Sequence, residues 1–440
     1  MNATPGPGTR IVIVGAGFAG AYCAQSLERR LGRRQGAEIV LLDRQNFFAF
    51  TPLLVEAGTG SLEPRHAVVS VRAFIKRSRF LMAEATRVDA NARRLHYRLE
   101  PGGAEQSLAY DQLVLALGSV TRQPPVPGLA EHGYGMKSLA DAVALRDRAI
   151  RMLELAEASE VPAARAELLH FVVVGANFTG VEVAGEYLHF LRSASRRYPR
   201  LTPRDCRVTL IEISDRVLGA LGDALSRYAS RQLAREGVEI LTRHSVEAIE
   251  PASALLDDGN RLASRTVIWC AGIAAPPPLW DAALPTDPQG WLLCDADMRV
   301  QGQERIWAIG DCAVNVDAAG RSLPATAQSA VQEGQQLAAN LAAAVAGRPL
   351  RPLRYRHQGA LAALGCRTGV AEVFGIKLSG FWAWFLWRTV YLVKMPGASR
   401  RLRVAVDWSL DLLFPRDDVT LGLHHSNPPA PPPPAPAPPR

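Results

Sequence analysis

The sequence predicts an α/β fold of two parallel-sheet units, the second inserted in the first, followed by a smaller C-terminal region. Three observations carry this. A short apolar strand, a glycine-rich turn, a helical stretch and a second apolar strand ending in an acid occur in that order twice. A buried-type strand near residue 306 returns the chain to the first unit once the second is complete. Beyond residue 349 the composition turns aromatic and basic.

The first unit opens with Ile11-Val12-Ile13-Val14, a β-branched run that reads as a strand buried on both faces. Gly15-Ala16-Gly17-Phe18-Ala19-Gly20 follows and starts a helix reaching Leu31. Gly15 allows the tight turn, Gly17 lets backbone approach a pyrophosphate, and Gly20 lets helix and strand pack closely. The helix N-terminus offers free N–H groups and partial positive charge to phosphates. The next strand, Glu38 to Leu42, ends at Asp43, a carboxylate placed to accept hydrogen bonds from a ribose.

The second unit repeats the pattern. Leu168 to Val174 is a buried strand, Gly175-Ala176-Asn177-Phe178-Thr179-Gly180 opens a helix, and Val208 to Ile211 ends at Glu212. Asn177 replaces the middle glycine; asparagine tolerates left-handed backbone but brings a side chain toward the pyrophosphate position. Two Rossmann-like dinucleotide-binding units in one chain point to two dinucleotides, most simply a bound flavin and a passing nicotinamide cofactor. Duplication as architecture alone is the alternative.

The 440 residues suffice for two or three domains. A net charge of +8 suits nucleic acid, an anionic membrane or anionic cofactors without choosing between them. Interspersed acidic and basic residues, with no basic tail, argue against nucleic acid. Residues 1–9 are polar and resemble no signal peptide. No run approaches the roughly 20 apolar residues that cross a bilayer, so a cytoplasmic location is expected. Six scattered cysteines form no Cys-x-x-Cys, which suggests neither a local redox dithiol nor zinc.

Between the units, Arg44 to Leu54 reads as an irregular loop and Val68 to Phe74 as a helix start. Phe80 to Asp89 reads as one strand, and Arg94 to Leu108 as a hairpin about Pro101-Gly102-Gly103. Leu113 to Gly118 is a buried strand and Ala140 to Glu157 a helix. Arg192 to Arg207 is a basic insert. Val246 to Leu256 and Leu262 to Cys270 close the second unit, and Ala274 to Pro278 marks a boundary. Ile306 to Ala308 is a strand before Gly310-Asp311, and Ala325 to Ala346 a helix carrying Gln328, Gln332 and Gln335. Asn427 to Arg440 is nearly all proline and alanine and is expected to be extended and disordered.

Over about residues 8–423 the chain resembles the type II, single-subunit, non-proton-pumping NADH:quinone dehydrogenases. The resemblance rests on the first glycine turn with Asp43, on Phe50-Thr51-Pro52-Leu53-Leu54, on Leu113 to Ser119, and on Thr179 to Glu186. Trp269-Cys270-Ala271-Gly272, Ala308-Ile309-Gly310-Asp311 and the more diagnostic Pro324 to Gln332 complete it. Asn177 and Cys366-Arg367-Thr368-Gly369 depart from the family pattern.

The resemblance implies an FAD-binding domain at 8–135 and 276–348, an NAD-binding domain at 136–275 inserted in it, and a membrane-associating region at 349–426. It implies FAD contacts at Gly15, Gly17, Gly20, Asp43, Arg44, Pro52, Leu53, Gly118, Gly310, Asp311, Ala327 and Gln328. Gly175, Asn177, Gly180, Glu182, Glu212, Ala271 and Gly272 would face NADH, and the charge of Glu212 would disfavour the 2′-phosphate of NADPH. Arg216 nearby leaves that choice open.

Glu182, with Glu186 on the same helix face, reads either as a group between nicotinamide and flavin or as a first-turn acid complementing the helix dipole. Gln328 and Gln332, four apart, read as neutral donors to a quinone carbonyl or as ordinary surface amides. His357 reads as a proton source or a structural histidine. Phe381 to Val393, flanked by Lys377, Lys394, Arg400, Arg401 and Arg403, and Val404 to Phe414 suit a headgroup layer, a buried helix or a dimer contact. The implied protein is a homodimer lying peripherally on the cytoplasmic face of the inner membrane. A sulfide:quinone or disulfide reductase is the competing enzyme, and needs paired cysteines near the flavin. A flavin-bearing binding protein without catalysis is the third reading.

Overall fold

A computed structural model describes residues 8–31, 37–279 and 284–422. The Pro-rich stretch 427–440 and the first seven residues lie outside the described residues. The first unit begins with β1 (Arg10–Val14), α1 (Phe18–Leu31) and β2 (Glu38–Asp43). It continues through α2 (Leu54–Gly58), β3 (Arg79–Met82) and β4 (Gln112–Leu115). The second contains β5 (Gly133–Tyr134), α3 (Leu139–Ala158), β6 (His170–Val174) and α4 (Phe178–Ala194). β7 (Arg207–Glu212), α5 (Asp223–Glu236), β8 (Val238–Thr242) and β9 (Thr266–Trp269) complete it. β10 (Ile306–Ala308) then joins β4 in parallel, and α6 (Ala327–Val345) packs on α1.

Both sheets are wholly parallel, in the orders β10-β4-β1-β2-β3 and β5-β9-β6-β7-β8. Their central strands bury Ile11, Val12 and Ile13, and Phe171, Val172 and Val173, completely, because each sheet is covered on both faces: helices pack on one, and antiparallel strands within 84–109 and 246–263 pack on the other face of the first and second sheet respectively. The two crossings between units, Val120–Thr121 and Ile273–Ala274, pair antiparallel, so the insertion enters and leaves at one place.

Three local expectations are corrected. Residues 44–54 are not an irregular loop: Phe47–Ala49 is a strand, and Thr51–Leu53 a 3₁₀ turn with Pro52 at its start, where a missing N–H costs nothing. Val68–Ser70 is that strand's antiparallel partner, because Phe48 and Val69 both bury; only Val71–Phe74 is helical. The stretch 80–89 divides at Ala83, whose N–H goes to the Asp43 carbonyl. Glu84–Asp89 leaves for an antiparallel sheet with the hairpin of Arg94–Arg98 and Gln106–Ala109.

The C-terminal region is a three-stranded antiparallel sheet, β11 (Gly359–Ala363), β12 (Gly369–Val373) and β13 (Ile376–Gly380), followed by α7 (Phe381–Lys394) and α8 (Ala398–Leu413). It is not separate from the rest. Trp387, Met395, Val404 and Trp408 lie in the core of the first unit, while Ala362, Leu364 and Val370 lie in the core of the second. No described helix is long and apolar enough to cross a membrane.

Candidate active site

The two glycine turns have one construction. Gly15 has φ +102°, and a Cβ there would lie 2.2 Å from the carbonyl oxygen of Ala116, just past β4. A Cβ on Gly20 would lie 1.9 Å from the carbonyl oxygen of Gly15. A Cβ on Gly17 would meet nothing within 4 Å, so backbone is bare at the mouth of α1. In the second unit Gly175 has φ +96° and a Cβ there would lie 2.8 Å from the Ala271 Cα, and a Cβ on Gly180 would lie 1.7 Å from the Gly175 carbonyl oxygen. Gly272 accepts a hydrogen bond from the Arg122 N–H at 3.2 Å, beside the paired crossings. Asn177 is not left-handed: at φ −73° it caps α4. Its Oδ1 accepts from the Gly180 N–H at 3.0 Å and its Nδ2 donates to the Cys270 carbonyl at 2.7 Å. The side chain thus takes up a donor of the helix end and ties the turn to the strand beside it.

The acids that end β2 and β7 are held alike. Asp43 Oδ2 accepts from the Ala16 N–H at 2.6 Å and Oδ1 from the Gln45 N–H at 2.8 Å. Glu212 Oε2 accepts from the Ala176 N–H at 2.6 Å, and Oε1 from the Ser214 N–H and hydroxyl at 2.9 and 2.8 Å. Each carboxylate is fixed beside its glycine turn with lone pairs to spare, so Glu212 is more than a solvated strand end. Burial pushes the Asp43 carboxyl up, against the lowering effect of the Ala16 and Gln45 N–H groups. Arg216 is paired with Asp223.

Asp311 lies inside the 3₁₀ turn Gly310–Cys312 and is not a cap. No α-helix follows it directly; the next is α6, capped by Thr326. The Ser119 hydroxyl donates to Asp311 Oδ2 at 2.8 Å and accepts from Lys137 Nζ at 2.8 Å. Burial pulls the Lys137 ammonium down, and Asp311 raises it again. The Gly310 N–H donates to Glu333, itself buried in α6, at 2.6 Å. Gly118 has open space where a Cβ would point. Arg44 is exposed at the turn after β2, Pro52 is half-buried, and Leu53 is wholly buried in the core, so it offers no surface for the flavin contact expected of it. Lys137 and Glu333 had no signal in the local sequence, and Ser119 had one only as the last residue of the Leu113–Ser119 segment.

Ala327, Gln328 and Gln332 are half-buried in the first turns of α6. Gln328 Oε1 accepts from the Tyr355 hydroxyl at 2.9 Å and the Gln358 N–H at 3.2 Å. Gln332 grips the backbone of Arg356 at both ends, accepting its N–H at 2.9 Å and donating to its carbonyl at 3.0 Å. The two amides thus hold residues 355–358, which include His357 beside Tyr355.

Glu182 lies past the first turn of α4 and is buried. Its Oε1 accepts from the Ala363 N–H at 3.0 Å and Trp387 Nε1 at 3.1 Å, and burial pushes its carboxyl up to about 8. The first-turn dipole role is thereby corrected. A Cβ on Gly185 would lie 2.5 Å from the Leu364 carbonyl oxygen, so glycine there lets β11 dock this closely. Beside Glu182 runs a buried charge chain that sequence reasoning missed. Glu56 of α2 accepts from Trp408 Nε1 at 2.7 Å and meets Arg388 at 3.5 Å. Arg388 meets Asp411 at 3.5 Å, Asp411 meets Arg416 at 2.9 Å, and Arg416 meets Glu186 at 3.0 Å. Burial pushes Glu56 up to about 7, with Arg388 opposing. An arginine inside the aromatic run of α7 was the one available clue.

The described cysteines are all free. Cys294 and Cys312 are neighbours under the first sheet, but burial pushes Cys312 up to about 12 and Cys294 well above its ordinary value. Thiols so disfavoured as thiolates do not suit a reactive dithiol.

Residues 9–334 match the pyridine nucleotide-disulphide oxidoreductase family, and residues 357–417 match the NDH2 C-terminal domain. The chain is 31% identical to an internal alternative NAD(P)H-ubiquinone oxidoreductase A1, mitochondrial, of Arabidopsis thaliana, over 93% of this chain and 85% of that one. It is 28% identical to the type II NADH:quinone oxidoreductase NdhA of Mycobacterium tuberculosis, over 92% and 87%. The fold matches a structure of NDH2 from Plasmodium falciparum in complex with NADH, with a TM-score of 0.85 at 20% identity, over 93% of this chain and 99% of that one. The chain therefore belongs to the pyridine nucleotide-disulphide oxidoreductase family, among its type II NADH:quinone oxidoreductases.

Proposed function

We propose that the protein oxidises NADH and reduces a lipid-soluble quinone with one bound FAD, lying peripherally on the cytoplasmic face of the membrane. One observation carries the reading. Two glycine turns in one chain are each closed by a carboxylate 2.6 Å from the N–H after the first glycine. FAD fits the first cradle: Gly17 leaves bare backbone at the α1 N-terminus for a pyrophosphate, Asp43 has lone pairs for a ribose, and Asp311 is bound by the hydroxyl of Ser119, one residue past the open space at Gly118. When bound, the flavin supplies the two-electron chemistry between NADH and quinone.

The chain's own groups do the rest. Glu212 accepts from a ribose and repels a 2′-phosphate, which favours NADH. Glu182, with both N–H donors on Oε1, keeps a proton on Oε2 near neutral pH. Gln328 and Gln332 shape residues 355–358 as the quinone's polar wall, with His357 within it as a proton source.

Asp311→Ala removes the partner of Ser119 and strands Lys137. The variant should lose FAD on gel filtration while the unmutated protein keeps one per chain. Full flavin occupancy in the variant overturns the assigned contact. Gln332→Ala frees Arg356. Losing a net 0.5–1.5 kcal/mol contact slows flavin reoxidation by quinone roughly 2- to 13-fold. Reduction by NADH should stay unchanged in single-turnover stopped flow. Equal slowing of both half-reactions would show that no separate quinone site exists there.

The membrane reading is supported by the outer faces of α7 and α8, where Trp382 is 69%, Leu402 66% and Leu413 76% exposed. Such aromatic and aliphatic faces with flanking arginines suit an interface. A second copy of the chain is the other occupant of this face, and vesicle sedimentation compared with solution mass separates the two.

A further inference from the structure

At the start of α8 a cavity of about 350 Å³ is lined by Arg65, His66, Ser399, Arg400 and Arg403. Its charges are unbalanced. Exposed Arg65 pairs with half-buried Glu63, and the one acid of α8 on this side, Asp407, accepts from His66 Nδ1 at 2.5 Å and the Glu63 N–H at 3.2 Å. Arg400 donates to the Arg65 carbonyl at 2.7 Å. Among the described residues neither Arg400 nor Arg403 has a carboxylate within ion-pair distance. They are three apart on one helix face, and burial, then the charge of Arg403, pull the Arg400 guanidinium down.

The helix is built against its own dipole. Its first turn has no acid, its N-cap is Gly397 with no capping side chain, and Arg400 and Arg401 add positive charge to a positive end. A local conflict of this kind, uncompensated within the chain, marks a functional position. What relieves it is an anion with several acceptor oxygens, the chemistry that guanidinium groups and helix N–H donors share. The same helix exposes Leu402, Val406 and Leu410, so the cavity opens beside the apolar face assigned to the membrane.

We propose that this cavity binds the phosphate group of an anionic phospholipid headgroup and so sets the orientation of α8 on the bilayer. This rests on the membrane reading above. The site joins an electrostatic contact to the apolar one, which a flat basic surface does not do.

The test compares the full-length holoprotein with two doubly substituted variants of equal charge. Arg400→Gln/Arg403→Gln empties the cavity of two cations; Lys377→Gln/Lys394→Gln removes two exposed charges of the same region outside it. Vesicles of phosphatidylcholine carry either phosphatidic acid or oleate at matched charge. The arginine variant should bind phosphatidic acid vesicles roughly 30-fold more weakly than the unmutated protein, as two cations at an anionic surface contribute about fivefold each. The lysine variant should lose far less, and the arginine variant should keep NADH oxidation with a water-soluble quinone. Equal losses in the two variants, or equal affinity of the unmutated protein for both vesicle types, overturn the cavity and leave the membrane reading standing. An unmutated protein that binds no vesicle overturns the membrane reading itself. Inorganic phosphate that raises the melting temperature of the unmutated protein alone, with vesicle binding unaltered in the arginine variant, assigns the cavity to a soluble phosphate and overturns the lipid.

Discussion

Replacing Glu182 by glutamine stabilises the folded protein at alkaline pH and leaves its stability unchanged in acid. The carboxyl sits near 8 in the folded chain against an ordinary 4.5, because burial outweighs the help of Ala363 and Trp387. Below about pH 4.5 the acid is protonated whether the chain is folded or not, and it contributes no pH dependence. Between about 4.5 and 8 the unfolded chain has released the proton and the folded chain keeps it, so stability falls as pH rises. Above about 8 the fall is complete, and over that window it is on the order of 5 kcal/mol. Glutamine keeps an oxygen for both N–H donors and has nothing to ionise. The variant's denaturation midpoint should match the unmutated protein at about pH 5 and exceed it increasingly toward about pH 8.5. A gain that does not grow with pH would show that Glu182 is ionised in the folded protein. Glu56, raised by the same burial, adds a slope of the same sign to both proteins.

Arg388→Met should cost about 3–5 kcal/mol at neutral pH, the penalty of leaving buried charge uncompensated. Its side chain is 11% exposed, and its guanidinium lies 4.4 Å from the ring centre of Trp384 and 4.8 Å from that of Trp408, and faces Glu56 and Asp411. Lysine should recover only part of this, since it lacks the planar group that stacks between two indoles. The loss should shrink on acidification, because Glu56 without Arg388 holds its proton more tightly. Adding Glu56→Gln should restore part of the stability at pH 7. A single variant as stable as the unmutated protein across pH would mean that the charge chain is open to water.

What was legible in the sequence is what short-range sterics dictate. Gly15 and Gly175 stand where backbone must take φ near +100° against a neighbouring strand, and no other residue does this without strain. Asp43 and Glu212 follow directly from strands whose ends the turns fix. The amide pairing of Gln332 with Arg356 spans 24 residues, and so looked like a free donor on a helix face. Glu56 and Trp408 are 352 residues apart, and nothing near either names the other. The loop reading of residues 44–54 failed for a related reason: Phe47–Ala49 becomes a strand only because Val68–Ser70 arrives beside it. Asn177 was weighed for its backbone tolerance, whereas its side chain, as a cap, decides its place.

The charge chain also sets a schedule for biosynthesis. Glu56 emerges from the ribosome 332 residues before Arg388. At ordinary translation rates of 5–20 residues per second that is a delay of roughly 20–60 s. Through that interval both glycine-turn units can assemble, but Glu56 and Glu186 must stay hydrated, since Arg388 and Arg416 do not yet exist to accompany them inward. The interior is sealed only when α7 delivers Arg388 and the segment after α8 delivers Arg416. A nascent chain stalled before α7 would therefore carry two formed nucleotide cradles around a wet acidic cleft, and it is in that state that the protein is most exposed to proteases and chaperones.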